Sequence, residues 1–233
     1  KKALAGAAKK VEAVYAYPFQ NHACMEPMNA TARYTPEKCE VWVPTQDGEA
    51  SFAAVLAASG LPADRCDVYK INLGGGFGRR GAFQDYVTQA VNIAKQMPGT
   101  PVKLLWSREE DMQHGHYRPA AAYRLRGGLD DTGRLIAWHT RVASPSIASK
   151  MNPANVRDGV DLQMVSCFVD APYAVPNVLV EYAMRNTPVP VGFWRAVAHS
   201  QNPFPRECFI DELAHAAGKD PFVFRRAMME AQA

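Results

Sequence analysis

The run Leu73-Gly74-Gly75-Gly76-Phe77-Gly78-Arg79-Arg80 constrains this chain more than any other stretch. An extended segment, Cys66 to Leu73, leads into it, and a helical pattern, Ala82 to Met97, leads out. A strand-to-helix junction aims backbone N–H groups and the positive end of a helix dipole at one spot, which stabilises an anion there. Glycine suits such a junction because a side chain would hold a phosphate or a ring away from the backbone. Two adjacent arginines add positive charge. The run reads as a site for a phosphate-bearing cofactor.

Two other readings compete. Gly76-Phe77-Gly78-Arg79-Arg80-Gly81 spells G-x-G-x-x-G, the dinucleotide fingerprint. That fingerprint also needs an acidic residue closing the next strand about 20 residues on. Here Val102 to Trp106 leads into Ser107-Arg108, and Glu109 comes late. Further strand–helix–strand units are missing, so a Rossmann-type NAD-binding domain is the weaker alternative. No G-x-x-x-x-G-K-[ST] occurs, which excludes a P-loop. A tight turn that only packs a helix on a sheet is the plain structural alternative. Four glycines with two arginines exceed what such packing needs.

The rest of the chain alternates strand and helix signals. Val11 to Tyr17, Thr31 to Tyr34 and Glu40 to Val43 read as strands. Ala50 to Ser59 has helical spacing, with Gly60 at C′ and Pro62 beyond it. Phe83, Tyr86, Val87, Ala90, Val91 and Ala94 form one apolar helix face. Tyr123 to Leu129 and Leu135 to Ala143 flank Asp130-Asp131-Thr132-Gly133, a hairpin signal. Residues 145 to 176 carry no clear pattern, and Val178 to Ala183 reads as a strand. Glu207 to Ala217 and Phe222 to Ala231 read as helices, the second capped by Asp220 with Pro221 at N1. An antiparallel hairpin among mixed elements predicts an α+β fold of mixed sheets with packed helices. The expected organisation is one partial cofactor-binding region over residues 1 to 233, in two lobes divided near 145 to 176.

Composition narrows the function classes. With 233 residues, 48% hydrophobic, the chain can bury a sizeable core. Its 26 basic and 23 acidic residues are scattered, and no Lys/Arg run points to nucleic acid. No apolar run approaches the roughly 20 residues of a membrane span. The first residue is Lys1 rather than Met, which suggests a processed subunit or an excised domain. Cys24, Cys39, Cys66, Cys167 and Cys208 include no C-x-x-C pair, so buried free thiols are expected rather than an iron–sulfur or zinc site. His22, His114, His116 and His199 lack metal-ligand spacing, and no protein-ligated metal is expected.

Six motifs in order make the glycine run far more specific. They are His22-Ala23-Cys24-Met25-Glu26-Pro27, Val43-Pro44-Thr45-Gln46, Gly74 to Gly78, Trp106 to Met112, Phe193 to Asn202, and Asp211-Glu212-Leu213-Ala214 with Gly218-Lys219-Asp220-Pro221. In this order they resemble the molybdopterin-binding large subunit of the xanthine oxidase, aldehyde oxidoreductase and carbon monoxide dehydrogenase family. Arg79-Arg80 and Gly192-Phe193-Trp194-Arg195 most resemble the isoquinoline 1-oxidoreductase β-subunit branch.

The resemblance implies a molybdenum cofactor, molybdopterin cytosine dinucleotide, and hydroxylation of an aldehyde or an N-heterocyclic aromatic with water as oxygen donor. It implies that Gly74, Gly75, Gly76, Phe77 and Gly78 lie against the molybdenum centre and pterin. It implies that Gln46 donates toward the metal's oxo group, that Arg195 lines the substrate cavity and that Gln201 contacts the cofactor. Arg79 and Arg80 would pair with the pyrophosphate, where charge-assisted bonds favour arginine. Gln46 could instead cap the helix after it, and Arg195 could sit in a surface ion pair. Glu26 is expected to orient a loop rather than transfer a proton. Implied partners are the remainder of the large subunit and a small [2Fe–2S] subunit. The compartment, periplasm or cytoplasm of a bacterium, stays open.

Two departures qualify the resemblance. Gly81 stands where xanthine oxidases have a glutamate, which argues against purine recognition. The family's basic glutamate, in a Gly-Val-Gly-Glu-like motif far toward the C-terminus, has no counterpart, so no catalytic residue is assigned and the chain alone is expected to be inactive. A non-enzymatic assembly or binding module on the same scaffold is the alternative.

Overall fold

A computed structural model describes residues 1–231. The last two residues of the expected 1–233 region lie outside the described ones. In chain order the first half forms α1 (Lys2–Ala5), β1 (Lys9–Tyr17), β2 (Asn29–Tyr34), β3 (Cys39–Val43), α2 (Gly48–Ser59), β4 (Cys66–Lys70), α3 (Asp85–Ala94), β5 (Val102–Leu105) and α4 (Arg108–Gln113). The second half forms β6 (Ala121–Leu129), β7 (Leu135–Ser144), α5 (Ala148–Met151), β8 (Val156–Arg157), β9 (Val160–Asp161), α6 (Leu162–Val165), β10 (Val178–Met184), α7 (Pro203–Ala216) and α8 (Pro221–Glu230). The mixed sheets and packed helices are those of an α+β fold.

These elements form two compact units. The first contains residues 1–20, 118–191 and 196 onward; the second contains 21–117 and 192–195. The expected division near 145–176 is therefore corrected. The first unit closes because β1 pairs antiparallel with β6, joining Tyr15 to Tyr123 across a hundred residues. No local pattern announces so distant a pairing. Residues 145–176 lie wholly inside this unit, as α5, β8, β9 and α6.

The first unit is built on the sheet β1-β6-β7-β10. The hairpin of β6 and β7 forms as the turn signal required, with Gly133 N–H donating to Asp130 O at 3.0 Å. Tyr123, Leu125, Val142, Phe209, Ile210 and Leu213 fill its core. A Cβ at Gly127 would meet Leu213 at 2.5 Å, so glycine lets α7 seat on the strand. α7 begins at Pro203, four residues earlier than the pattern indicated. Two prolines at its start are tolerated because the first N–H groups of a helix have no intrahelical partner. Asp220 caps α8, accepting from Phe222 and Val223 N–H.

The second unit is built on the sheet β4-β3-β2-β5, with β3 and β4 parallel and the other pairs antiparallel. Val41, Val43, Val55, Tyr86, Val87 and Val91 are buried between the sheet and α2 and α3. Asp47 caps α2 by accepting from Ala50 N–H at 3.0 Å, and Gly60 ends it at φ 76°. The second helix is shorter than expected. α3 starts at Asp85, seven residues beyond Gly78, so the glycine run does not open a helix and no helix dipole acts at it.

Candidate functional site

The glycine run is a strained loop of the second unit. Gly75, Phe77 and Gly78 have φ values of 99°, 52° and 106°. Phe77, as a residue with a Cβ, sits in the left-handed region at a cost of roughly 1–2 kcal/mol. Such strain persists only where surrounding contacts over-determine it.

Those contacts come from Arg80, Glu26, Gln46 and the 192–195 segment. Arg80 is fully buried. Its Nε donates to Gly75 O at 2.9 Å, Nη1 to Pro44 O at 3.1 Å, and Nη2 to Glu26 O at 2.8 Å and Glu26 Oε2 at 3.1 Å. Glu26 Oε2 also accepts from Gly74 N–H at 2.8 Å, while its Oε1 accepts from Asn29 Nδ2 at 2.9 Å. The Glu26 carboxylate thus orients the start of the loop. Arg79 is buried as well, donating to Asp85 Oδ2 at 2.8 Å and lying 5.4 Å from the centre of the Trp106 ring.

These positions correct one expectation. Both guanidiniums turn into the interior of the unit instead of outward toward a pyrophosphate. The loop leaves several backbone carbonyls without strand or helix partners, and a buried Arg fork satisfies them.

Gln46 does not cap α2; Asp47 does. The Gln46 backbone N–H donates to Arg80 O at 3.0 Å, and its side-chain Oε1 accepts from Gly78 N–H at 2.9 Å. Because Gly78 N–H is a donor, the atom facing it is the amide oxygen, and the amide nitrogen is left to donate elsewhere. A Cβ at Gly76 would overlap that amide, and a Cβ at Gly78 would overlap Phe193 O. Among the described residues, the N–H groups of Gly75, Gly76 and Phe77 and the Gln46 Nε2 have no acceptor. Successive unpaired N–H groups in a turn make a concavity for electronegative atoms.

Arg195 joins the same unit. Its N–H donates to Phe77 O at 2.7 Å, and the residue is exposed. Gln201 does not join it: the residue belongs to the first unit, where it is buried with its Oε1 unpaired. His22, which opens the first of the six motifs and has no metal-ligand spacing, is buried and lies with Nε2 2.7 Å from Phe193 O. Burial pushes its imidazole below the ordinary histidine range, Arg79 lowers it further, and the Phe193 bond opposes them. No sequence signal marks this contact, since the partners are 171 residues apart.

The described residues contain no group of three or more His, Cys, Asp or Glu that could hold a metal ion. All five cysteines are free thiols, four of them buried. No described helix is long and apolar enough to cross a membrane.

The molybdopterin cofactor-binding domain family matches residues 1–229. The chain is 30% identical over 213 residues to isoquinoline 1-oxidoreductase subunit beta of Brevundimonas diminuta, covering 87% of this chain and 26% of that protein. It is 29% identical over 223 residues to the membrane-bound aldehyde dehydrogenase [pyrroloquinoline-quinone] of Gluconacetobacter polyoxogenes, covering 91% and 28%. The chain thus spans little more than a quarter of these relatives. Among solved structures, quinoline 2-oxidoreductase from Pseudomonas putida 86 superposes with a TM-score of 0.79 at 22% identity, covering 97% of this chain and 29% of that one. Carbon monoxide dehydrogenase from Oligotropha carboxidovorans gives 0.74 at 19%, covering 97% and 28%. The two structures share its fold.

Proposed function

The chain belongs to the molybdopterin cofactor-binding domain family, and on that premise we propose that the 74–78 loop with Gln46 is one wall of the cofactor site of a molybdenum hydroxylase. The observation that carries this reading is the run of three N–H groups, Gly75 to Phe77, that have no acceptor among the described residues, beside the Gln46 amide nitrogen, which has none either. These donors fit a ligand rich in oxygen and nitrogen acceptors. The glycines fit one that approaches the backbone closely.

In this reading the cofactor is the molybdopterin cytosine dinucleotide form. Bound, it supplies a Lewis-acidic, redox-active metal for hydroxylating an electron-poor carbon with water. The chain's own residues position. Gln46 Nε2 and the loop amides donate hydrogen bonds toward the cofactor's polar atoms. Arg79 and Arg80 act from beneath, keeping the loop in its strained form. Arg195, exposed beside Phe77, faces the substrate. The substrate class is an aldehyde or an N-heterocyclic aromatic. Electrons leave through a [2Fe–2S] partner, and the rest of the large subunit supplies the base that this chain lacks. On its own the 233-residue chain is inactive.

The test is cofactor content. The full-length protein carrying this segment, produced in a host that makes the cofactor, is expected to hold molybdenum and pterin in near-equal amounts. Gln46→Ala should lower turnover of an aldehyde or heterocycle. A full-length protein that holds neither, or holds a quinone instead, overturns the reading and favours a non-enzymatic module or a different cofactor.

A further inference from the structure

We infer that His22 is a positioning residue for the glycine loop: its imidazole fixes residues 192–195 against the loop and so keeps Phe77 in the conformation that presents the Gly75–Phe77 N–H groups. The inference rests on reading that loop as the cofactor's wall.

Three observations carry it. His22 is 6% exposed, and its Nε2 faces Phe193 O at 2.7 Å. A carbonyl only accepts, so Nε2 bears the hydrogen and Nδ1 is left as an acceptor. That Nδ1 is buried and accepts no hydrogen bond. A buried unpaired nitrogen is unfavourable, and an apolar side chain of similar size would avoid it. Histidine at this position is therefore explained by the bond that Nε2 makes.

The second observation is where that bond lands. Phe193 O is the atom that a Cβ at residue 78 would strike, so residues 78 and 193 approach backbone to backbone. The third lies two residues on, where Arg195 N–H donates to Phe77 O at 2.7 Å. His22, Phe193, Arg195 and Phe77 thus form a series that ends on the strained residue. The far end of the segment is tied by Gly192 N–H to Tyr117 O at 3.0 Å and seated by Gly192 against Phe83. Without His22, the carbonyl between these ties has no donor, and the bond that supports Phe77 opens more often.

Amide hydrogen exchange on the full chain tests this. In His22→Leu the Arg195 and Gly78 amides are expected to exchange at least ten-fold faster, with the Val91 amide in α3 unchanged. In His22→Gln, whose amide nitrogen replaces Nε2, Arg195 should return toward the native rate. Native exchange at Arg195 in His22→Leu, or fast exchange in a folded His22→Gln, overturns the inference. Imidazole nitrogen shifts of the wild-type chain decide independently of any variant. A protonated, slowly exchanging Nε2 is expected, and an Nδ1–H tautomer overturns it. Pterin content of the full-length protein separates the two readings: a protected Arg195 amide with no pterin overturns the cofactor assignment alone.

Discussion

Gln46 Oε1 accepts the Gly78 N–H at 2.9 Å, and the same amide fills the space that a side chain at residue 76 would take. One exposed glutamine therefore reads the shape of the loop at two points. The relationship makes the two glycines unequal. At 76 the obstacle is the end of a flexible side chain. At 78 it is the Phe193 backbone carbonyl, and φ is already 106°.

Gly76→Ala should displace Gln46 and leave the fold nearly as stable, while cofactor content falls. Gly78→Ala should destabilise by about 1–3 kcal/mol from its backbone conformation alone, with the carbonyl overlap adding to it. Urea denaturation of both variants checks this; equal losses would contradict the difference drawn between the two sites.

Removing Arg80 should be among the most damaging single changes. Arg80→Met removes the cation paired with the Glu26 carboxylate and the guanidinium bonds to the Gly75 and Pro44 carbonyls. Breaking a buried ion pair from one side costs roughly 3–5 kcal/mol, and the partial exposure of Glu26 places this case near about 3 kcal/mol. Arg80→Lys should recover little, because one ammonium cannot reproduce the fork. A Lys variant as stable as the wild type would show that charge, not geometry, matters here.

His22 should make stability depend on pH. Burial lowers its folded-state value, so the unfolded chain takes up the proton first as pH falls. Its contribution is fully present above about 6.5, the unfolded value, and declines as pH drops from there toward the lowered folded value. Denaturation midpoints measured from pH 8 to 5 should fall more steeply for the wild type than for His22→Gln. Parallel curves would remove His22 from the titration.

Native alkylation should reach one thiol first. Cys24, Cys39, Cys66 and Cys167 are buried, whereas Cys208 is partly exposed. Burial and the neighbouring Cys66 raise the Cys39 thiol to about 11, which keeps it protonated and unreactive. Iodoacetamide followed by peptide mass analysis should find Cys208 labelled well ahead of the others. Comparable labelling of Cys39 would mean that β3 and β4 open readily.

Much of the fold was legible because it is local. The turn at Asp130 to Gly133 named the β6–β7 hairpin, Gly60 named the end of α2, and Asp220 with Pro221 named the start of α8. Segments such as Pro203 to Arg206 were missed because helix starts tolerate residues that the interior rejects. Of the candidate site, the chain order of the motifs carried the family, and the glycines carried the close backbone approach.

The sequence by itself determined that residues 74–78 must bend where side chains do not fit, because that constraint belongs to the glycines themselves. Only the tertiary structure decided that Arg79 and Arg80 point inward, that Gln46 accepts from Gly78, and that His22 meets Phe193. For Arg80, Gln46 and His22 this depends on which distant backbone carbonyl or N–H lacks a partner once the chain is compact, whereas Arg79 turns to the nearby Asp85 carboxylate. Burial turns such a missing bond into a large cost, and only the folded chain brings the remedy within reach.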